Sequence, residues 1–160
     1  MCCVGTDLEN HARYGELIYT LDGDALSVNL YAASEFDWAE RGLIVRPETS
    51  FPRSGVATLH TTSAAPTEAT IRLRRPGWCL GIDVDGSPFD PGKATAPDGG
   101  MSDGGYVSIR RTWDGTRTVS VRLETGLRAE LLPDSSPWVS FLYGPGGALR
   151  AGGERRRRKF

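Results

Sequence analysis

The sequence predicts a mainly β fold, an antiparallel β-sandwich preceded by one N-terminal α-helix. Three observations predict it. Apolar residues alternate with polar ones at period two from about residue 26 to residue 143. The alternating runs recur roughly every ten residues, with Gly, Pro and Asp between them. Before them, residues 5–19 carry a helix-start pattern and a looser apolar face. Alternation on one side only favours antiparallel sheets with one wet face over a parallel sheet buried on both.

The elements follow in chain order. Thr6 and Glu9 have the spacing of a capping box, in which each side chain satisfies a free backbone N–H at the helix start. Leu8, Ala12 and Tyr19 fall on one rough face of this helix, with Leu17 and Ile18 nearby. Asp22-Gly23 is a turn signal, and the period changes there. Leu26, Val28 and Leu30 alternate with Ser27, Asn29 and Tyr31; Leu43 and Val45 follow. Val56 and Leu59 lie in a Thr-rich stretch, and Ile71 and Leu73 alternate with arginines. Ile82 and Val84 precede an Asp85-Gly86 turn. The Gly- and Pro-rich stretch 86–105 reads as a long loop. Val107 and Ile109, then Val119, Val121 and Leu123, then Leu127, Leu131, Val139 and Phe141 complete the series. The domain division that results is 1–21, 22–145 and 146–160. In the last part a Gly-rich stretch without period leads into Arg155-Arg156-Arg157-Arg158-Lys159, and the expected state is a solvated, disordered basic tail or coding sequence read out of frame.

Composition excludes several classes of function. Hydrophobic content of 39%, charged content of 24% and a net charge of −1 are those of an ordinary globular chain. Such a balance gives no general attraction to nucleic acid or to an anionic membrane, so neither is expected as a partner. No run approaches the ~20 apolar residues of a membrane span. Asp7, Glu9 and His11 interrupt any apolar core of a signal peptide. Three cysteines, two of them adjacent, do not make a disulfide framework, and a reducing, cytoplasmic compartment is the expectation.

The residues with chemical potential are few. Cys2 and Cys3 suit a paired-thiolate metal site or a reactive thiolate better than a strained vicinal bridge, and as small hydrophobes they could equally be buried. Zinc takes thiolate sulfur well and is usually tetrahedral, so the pair supplies half a shell. Cys79, at the turn Pro76-Gly77-Trp78, reads as a packed core thiol, and His11 and His60 as ordinary polar residues. Trp38, Trp78, Trp113 and Trp138 would line a sugar-stacking surface or pack in the core.

The run Cys2-Cys3-Val4-Gly5-Thr6, Glu9-Asn10-His11, Arg13-Tyr14-Gly15-Glu16 and Ile18-Tyr19 closely resembles a motif of the zinc-dependent β-L-arabinofuranosidases, glycoside hydrolases with a helical toroid catalytic domain followed by β-sandwiches. Leu26-Ser27-Val28-Asn29-Leu30-Tyr31 looks like that family's first sandwich strand. Arg74-Arg75-Pro76-Gly77-Trp78, Tyr106-Val107-Ser108-Ile109, Arg111-Thr112-Trp113 and Phe141-Leu142-Tyr143-Gly144-Pro145 look like its recurring elements. The resemblance spans residues 2–145. Asp7 stands where glycine is frequent in the family motif, and the apolar strand that usually follows Gly144-Pro145 is replaced by the basic tail.

The resemblance implies that residues 1–21 are the end of the (α/α) toroid and residues 22–145 a sandwich domain. It implies that Cys2 is the nucleophile and a zinc ligand, and that Cys3 is a fellow zinc ligand. It implies a retaining reaction on an arabinose-containing oligosaccharide. A glutamate would serve as acid and then as base, so that one carboxylate and one thiolate replace the usual two carboxylates. In the family that glutamate, a further glutamate ligand and a third cysteine ligand come from far upstream, so Glu9 and Glu16 match neither role. The expectation is therefore a fragment, inactive by itself, whose helix face at Leu8, Leu17 and Ile18 is open to association. The alternative is a stand-alone sandwich acting as a carbohydrate-binding or interaction module.

Overall fold

The computed structural model describes residues 13–89, 105–131, 139–144 and 146–148. The chain is mainly β. Its strands are β1 (Tyr19–Asp22), β2 (Ala25–Val28), β3 (Phe36–Trp38), β4 (Leu43–Thr49), β5 (Val56–Arg74), β6 (Gly81–Val84), β7 (Ser87–Phe89), β8 (Tyr106–Glu124), β9 (Leu127–Leu131), β10 (Val139–Tyr143) and β11 (Gly146–Ala148). Among the described residues, Arg13 is helical and is followed by a single 3-10 turn at Tyr14–Leu17; a second 3-10 turn lies at Ala39–Arg41.

Alternation decides which side chains enter the core. On β5 the buried residues are Ala57, Leu59, Thr61, Ser63, Ala69, Ile71 and Leu73. On β8 they are Val107, Ile109, Trp113, Val119, Val121 and Leu123. All of these except the buried polar Thr61 and Ser63 join Leu26 and Val28 of β2, Leu43 and Val45 of β4, and Ile82 of β6 in one apolar cluster. Polar residues at the alternate positions face water, and Val56, out of phase, is exposed with them.

The sequence suggests separate strands around Val56–Leu59 and Ile71–Leu73, and around Val107–Ile109 and Val119–Leu123. The structure joins each pair into one strand of 19 residues. A straight strand of that length would span about 60 Å, more than the ~40 Å width of a domain of this size. Both strands therefore bend. The register passes from Ser63↔Gly115 to Thr67↔Trp113, so Ala64, Ala65 and Pro66 have no partner on β8. Pro66 suits this bulge because it has no N–H to offer a ladder. Four steps on β5 oppose two on β8, an even difference, so odd-numbered residues face inward on both sides of the bend.

Asp85 gives direct evidence of the folding. Its backbone N–H donates to Ser120 O at 2.9 Å, and its Oδ1 accepts the Ser120 N–H at 2.7 Å. Its Oδ2 lies 4.0 Å from Nη2 of Arg111. Ser120 and Arg111 would stand about 30 Å apart on a straight strand. The halves of β5 and β8 thus belong to two layers. One carries β3, β4, the first half of β5, the second half of β8, β6 and β7. The other carries β1, β2 and the remaining halves. The sandwich covers its own core with one folded sheet.

Several expectations change in detail. The pairing is not purely antiparallel, since β2 runs parallel to β5, with Leu26 opposite Ile71 and Val28 opposite Leu73. The helix expected over 5–19 does not extend to residue 19: from helical Arg13 the chain makes a single 3-10 turn at Tyr14–Leu17 and enters β1 at Tyr19, because Tyr19–Asp22 pairs with Val28–Ala25 across a tight hairpin. Residues 5–12 lie outside the described residues. The loop expected from residue 86 starts as a hairpin, in which Asp85 and Gly86 both take positive φ (52° and 79°), the geometry of a two-residue type I′ turn, and β7 pairs back on β6. Gly146–Ala148, assigned to the tail, pairs with β10, and residues 149–160 lie outside the described residues. β9, β10 and β11 form a small second sheet, on which Leu127, Ala129, Phe141 and Tyr143 are exposed.

Candidate functional site

The segment that carries the cysteine motif enters the sandwich at one edge, and its described part starts at Arg13. Cys2 and Cys3, the expected nucleophile and zinc ligands, lie outside the described residues, as does His11. Arg13 and Glu16 form an exposed ion pair at 3.7 Å across the turn. The Ile18 N–H closes that turn on Gly15 O at 3.4 Å. Beyond it, several of the contacts that tie the segment to the sandwich pass through one residue beside the strand that β1 pairs with.

That residue is Asn29, directly after β2. Its backbone N–H donates to Ile18 O at 2.8 Å, extending the β1–β2 ladder by one rung. Its side-chain Nδ2 donates to Leu17 O and to Thr20 Oγ1, each at 3.2 Å. Its Oδ1 accepts the Tyr106 phenol O–H at 2.6 Å. Tyr106 opens β8 and pairs with Arg74 on β5, so the phenol is held by the central strands of the layer that carries β1 and β2. One amide thus ties the end of the motif segment to the middle of the sheet. Alternation places Asn29 on a polar phase after Val28, but nothing in the pattern marks it as a link. The resemblance at Leu26–Tyr31 and Tyr106–Ile109 was the available signal.

Neighbouring side chains brace the same edge. Tyr19 shares a hydrogen bond with Ser34 Oγ at 2.8 Å and packs on Phe36, with ring centroids 5.0 Å apart. Burial pushes the Tyr19 phenol above its ordinary pKa, against the pull of the Ser34 hydrogen bond. Tyr31 donates to Arg74 O at 2.8 Å, and its burial pushes its pKa upward as well. Asp22 pairs with Arg72 at 3.1 Å over the outer face of β2.

The other candidates resolve as packing or surface. Cys79 sits in the core, where its Sγ donates to Gly81 O at 2.8 Å. Burial raises the thiol's pKa, with the Gly81 backbone contact acting in the opposite direction. A thiol so placed does not present a thiolate to a metal. Trp38 and Trp113 are buried, and Trp78 is half-buried and stacked on Phe51 with centroids 5.7 Å apart, so these three offer no open stacking surface for a sugar. Trp138 lies outside the described residues. His60 Nε2 stands 3.3 Å from Glu48, which also pairs with Arg46 at 3.0 Å, a surface ion cluster. Among the described residues, no three or more His, Cys, Asp or Glu side chains gather where they could hold a metal.

Cys79 permits a direct test. In a Cys2→Ser, Cys3→Ser background, the native chain should react with a thiol reagent at under about a hundredth of the unfolded rate. Rapid stoichiometric labelling of the folded chain would contradict this. The folded thiol's pKa lies above its unfolded value, so the stability carried by the neutral thiol is complete below the unfolded pKa. It is lost as pH rises from there toward the folded pKa.

A family model described as the middle domain of β-L-arabinofuranosidase, GH127, matches residues 25–125. A GH127 β-L-arabinofuranosidase from Geobacillus stearothermophilus T6 is similar in structure at 26% identity and a TM-score of 0.72, over 90% of this chain and 23% of that one. A glycoside hydrolase (22% identity, TM-score 0.68, 91% of this chain and 24% of that one) shares the fold. So does a GH127 β-arabinofuranosidase (23% identity, TM-score 0.61, 80% of this chain and 23% of that one). The chain spans about a quarter of the length of these structures. No curated protein matches the sequence.

Proposed function

Because the chain belongs to the GH127 β-L-arabinofuranosidase family, spanning its middle domain, we propose that it is the sandwich portion of a retaining glycoside hydrolase acting on arabinofuranosides, joined to the last segment of the catalytic domain. What supports this is the join itself. A motif with a cysteine pair resembling that of the family's catalytic centre runs without a break into the matched domain, and Asn29 ties its end to the sheet.

In the proposed reaction Cys2 Sγ attacks the anomeric carbon. The C–S bond forms as the glycosidic C–O bond breaks, and a glutamic acid protonates the departing oxygen. The same carboxylate then takes a proton from water, whose oxygen displaces the sulfur, so the configuration is retained. Cys2 and Cys3 suit a zinc ion, which when bound would favour the thiolate over the thiol. Two thiolates fill half of a tetrahedral shell, and buried Cys79 does not complete it. The other ligands and the acid/base glutamate would come from outside these 160 residues.

The 160-residue chain is accordingly expected to release no aryl group from an aryl β-L-arabinofuranoside supplied with zinc. Turnover that disappears in Cys2→Ser would show that these residues suffice and would overturn the proposed division of labour. A stand-alone carbohydrate-binding role has less support, because the core and a ring stack occupy three of its four tryptophans.

A further inference from the structure

We propose that Asn29 is a positioning residue: held by Tyr106, its side-chain amide latches the end of the cysteine-bearing segment to the sandwich and sets how that segment leaves the sheet. This rests on reading the segment as part of a catalytic centre. The latch itself rests only on contacts in this structure.

The geometry gives the latch its specificity. An Asn amide can donate twice and accept, and here all three functions are used. Nδ2 reaches Leu17 O before the β1 ladder begins and Thr20 Oγ1 within it, so it grips both sides of the point where the 3-10 turn becomes strand. Oδ1 is taken by the Tyr106 phenol, which fixes which end of the amide faces the segment. The backbone rung from Asn29 to Ile18 lies between the two grips. Without the side chain, that terminal rung is free to fray, as ladder ends do. Leu17 is 55% exposed, so its own side chain adds little apolar packing to the hold that the amide has on its carbonyl.

Three substitutions separate the contributions. Asn29→Ala removes both grips. Asn29→Asp keeps the acceptor for Tyr106 but loses the donors to Leu17 and Thr20. Tyr106→Phe keeps the ring and removes the hydroxyl. Two local readouts are required. The first is amide exchange at Ile18 and residue 29, compared with Leu59 and Val121 in the core. The second is the anisotropy of a fluorophore on Glu16→Cys in a Cys2→Ser, Cys3→Ser background, where buried Cys79 stays unlabelled.

Asn29→Ala and Asn29→Asp should each speed exchange at 18 and 29 by about 5–10-fold, as expected for losing hydrogen bonds of ordinary strength. They should lower the anisotropy and leave core exchange unchanged. Tyr106→Phe should do the same to a smaller degree. Unchanged local exchange in all three variants would overturn the latch, and so would an equal acceleration at Leu59 and Val121, which marks a merely structural role. Neither readout needs zinc or turnover, so the latch can fail while the glycosidase assignment stands, and the reverse.

Discussion

Replacing Trp113 with alanine is expected to destabilise the chain by about 3–5 kcal/mol, roughly 10–15 °C in melting temperature. The indole is 1% exposed and sits opposite Thr67, where the register resumes after the β5 bulge. It fills the inside of the bend shared by the two long strands. Its Nε1–H donates to Ala69 O at 3.0 Å, and the Arg111 guanidinium lies 4.4 Å from the ring centre. Alanine removes the volume, the hydrogen bond and the cation's partner together. Trp113→Phe keeps most of the volume and loses the donor, for a cost of about 1–2 kcal/mol. Urea titration of the two variants measures both figures. A loss under about 1 kcal/mol in Trp113→Ala would mean that the bend does not depend on this packing.

Gly55→Ala is expected to cost about 2–3 kcal/mol, from overpacking and a weakened backbone hydrogen bond. Gly55 lies just before β5, where its carbonyl accepts the Leu123 N–H at 2.7 Å. A Cβ built there stands 2.6 Å from the Leu123 carbonyl oxygen. That oxygen is backbone of a central strand and cannot move alone, so the contact forces β5 and β8 apart where the start of β5 meets the end of β8. Gly126 is the control. A Cβ at position 126 also collides, but with the tip of the Leu80 side chain, which is 66% exposed and free to turn away. Gly126→Ala should therefore cost about 0.5 kcal/mol or less. Thermal unfolding of both variants decides it, and equal effects would refute the distinction between a rigid and a yielding neighbour.

Much of the fold was legible because burial in a sheet has a period of two. Leu26, Val28, Leu43, Val45, Leu59, Ile71, Leu73, Val107, Ile109, Val119, Val121 and Leu123 all read as inward, and all are buried. Cys79 read as a core thiol and is one. The same pattern says nothing of strand length or direction. Val56–Leu59 and Ile71–Leu73 read as two separate runs, yet Ala64-Ala65-Pro66 between them is a bulge inside one strand. An even number of extra residues leaves the parity on both sides intact, so nothing in the alternation reveals the continuity. Nor does alternation show that β2 runs parallel to β5, because residues on either kind of pair alternate alike. Phe141 and Leu127 carry the strand pattern, but their face is exposed, since apolarity alone does not state whether a partner layer covers it.

The sequence by itself determined the sandwich, the inward residues and the family, because period-two burial and an ordered run of specific residues are properties of the chain read one position at a time. Only the tertiary structure decided that one sheet folds over its own core and that Asn29 and Tyr106, 77 residues apart, meet beneath the cysteine-bearing segment. Both depend on which strands lie side by side. That is set by long-range packing across the bend and by backbone hydrogen bonds that do not depend on side-chain identity.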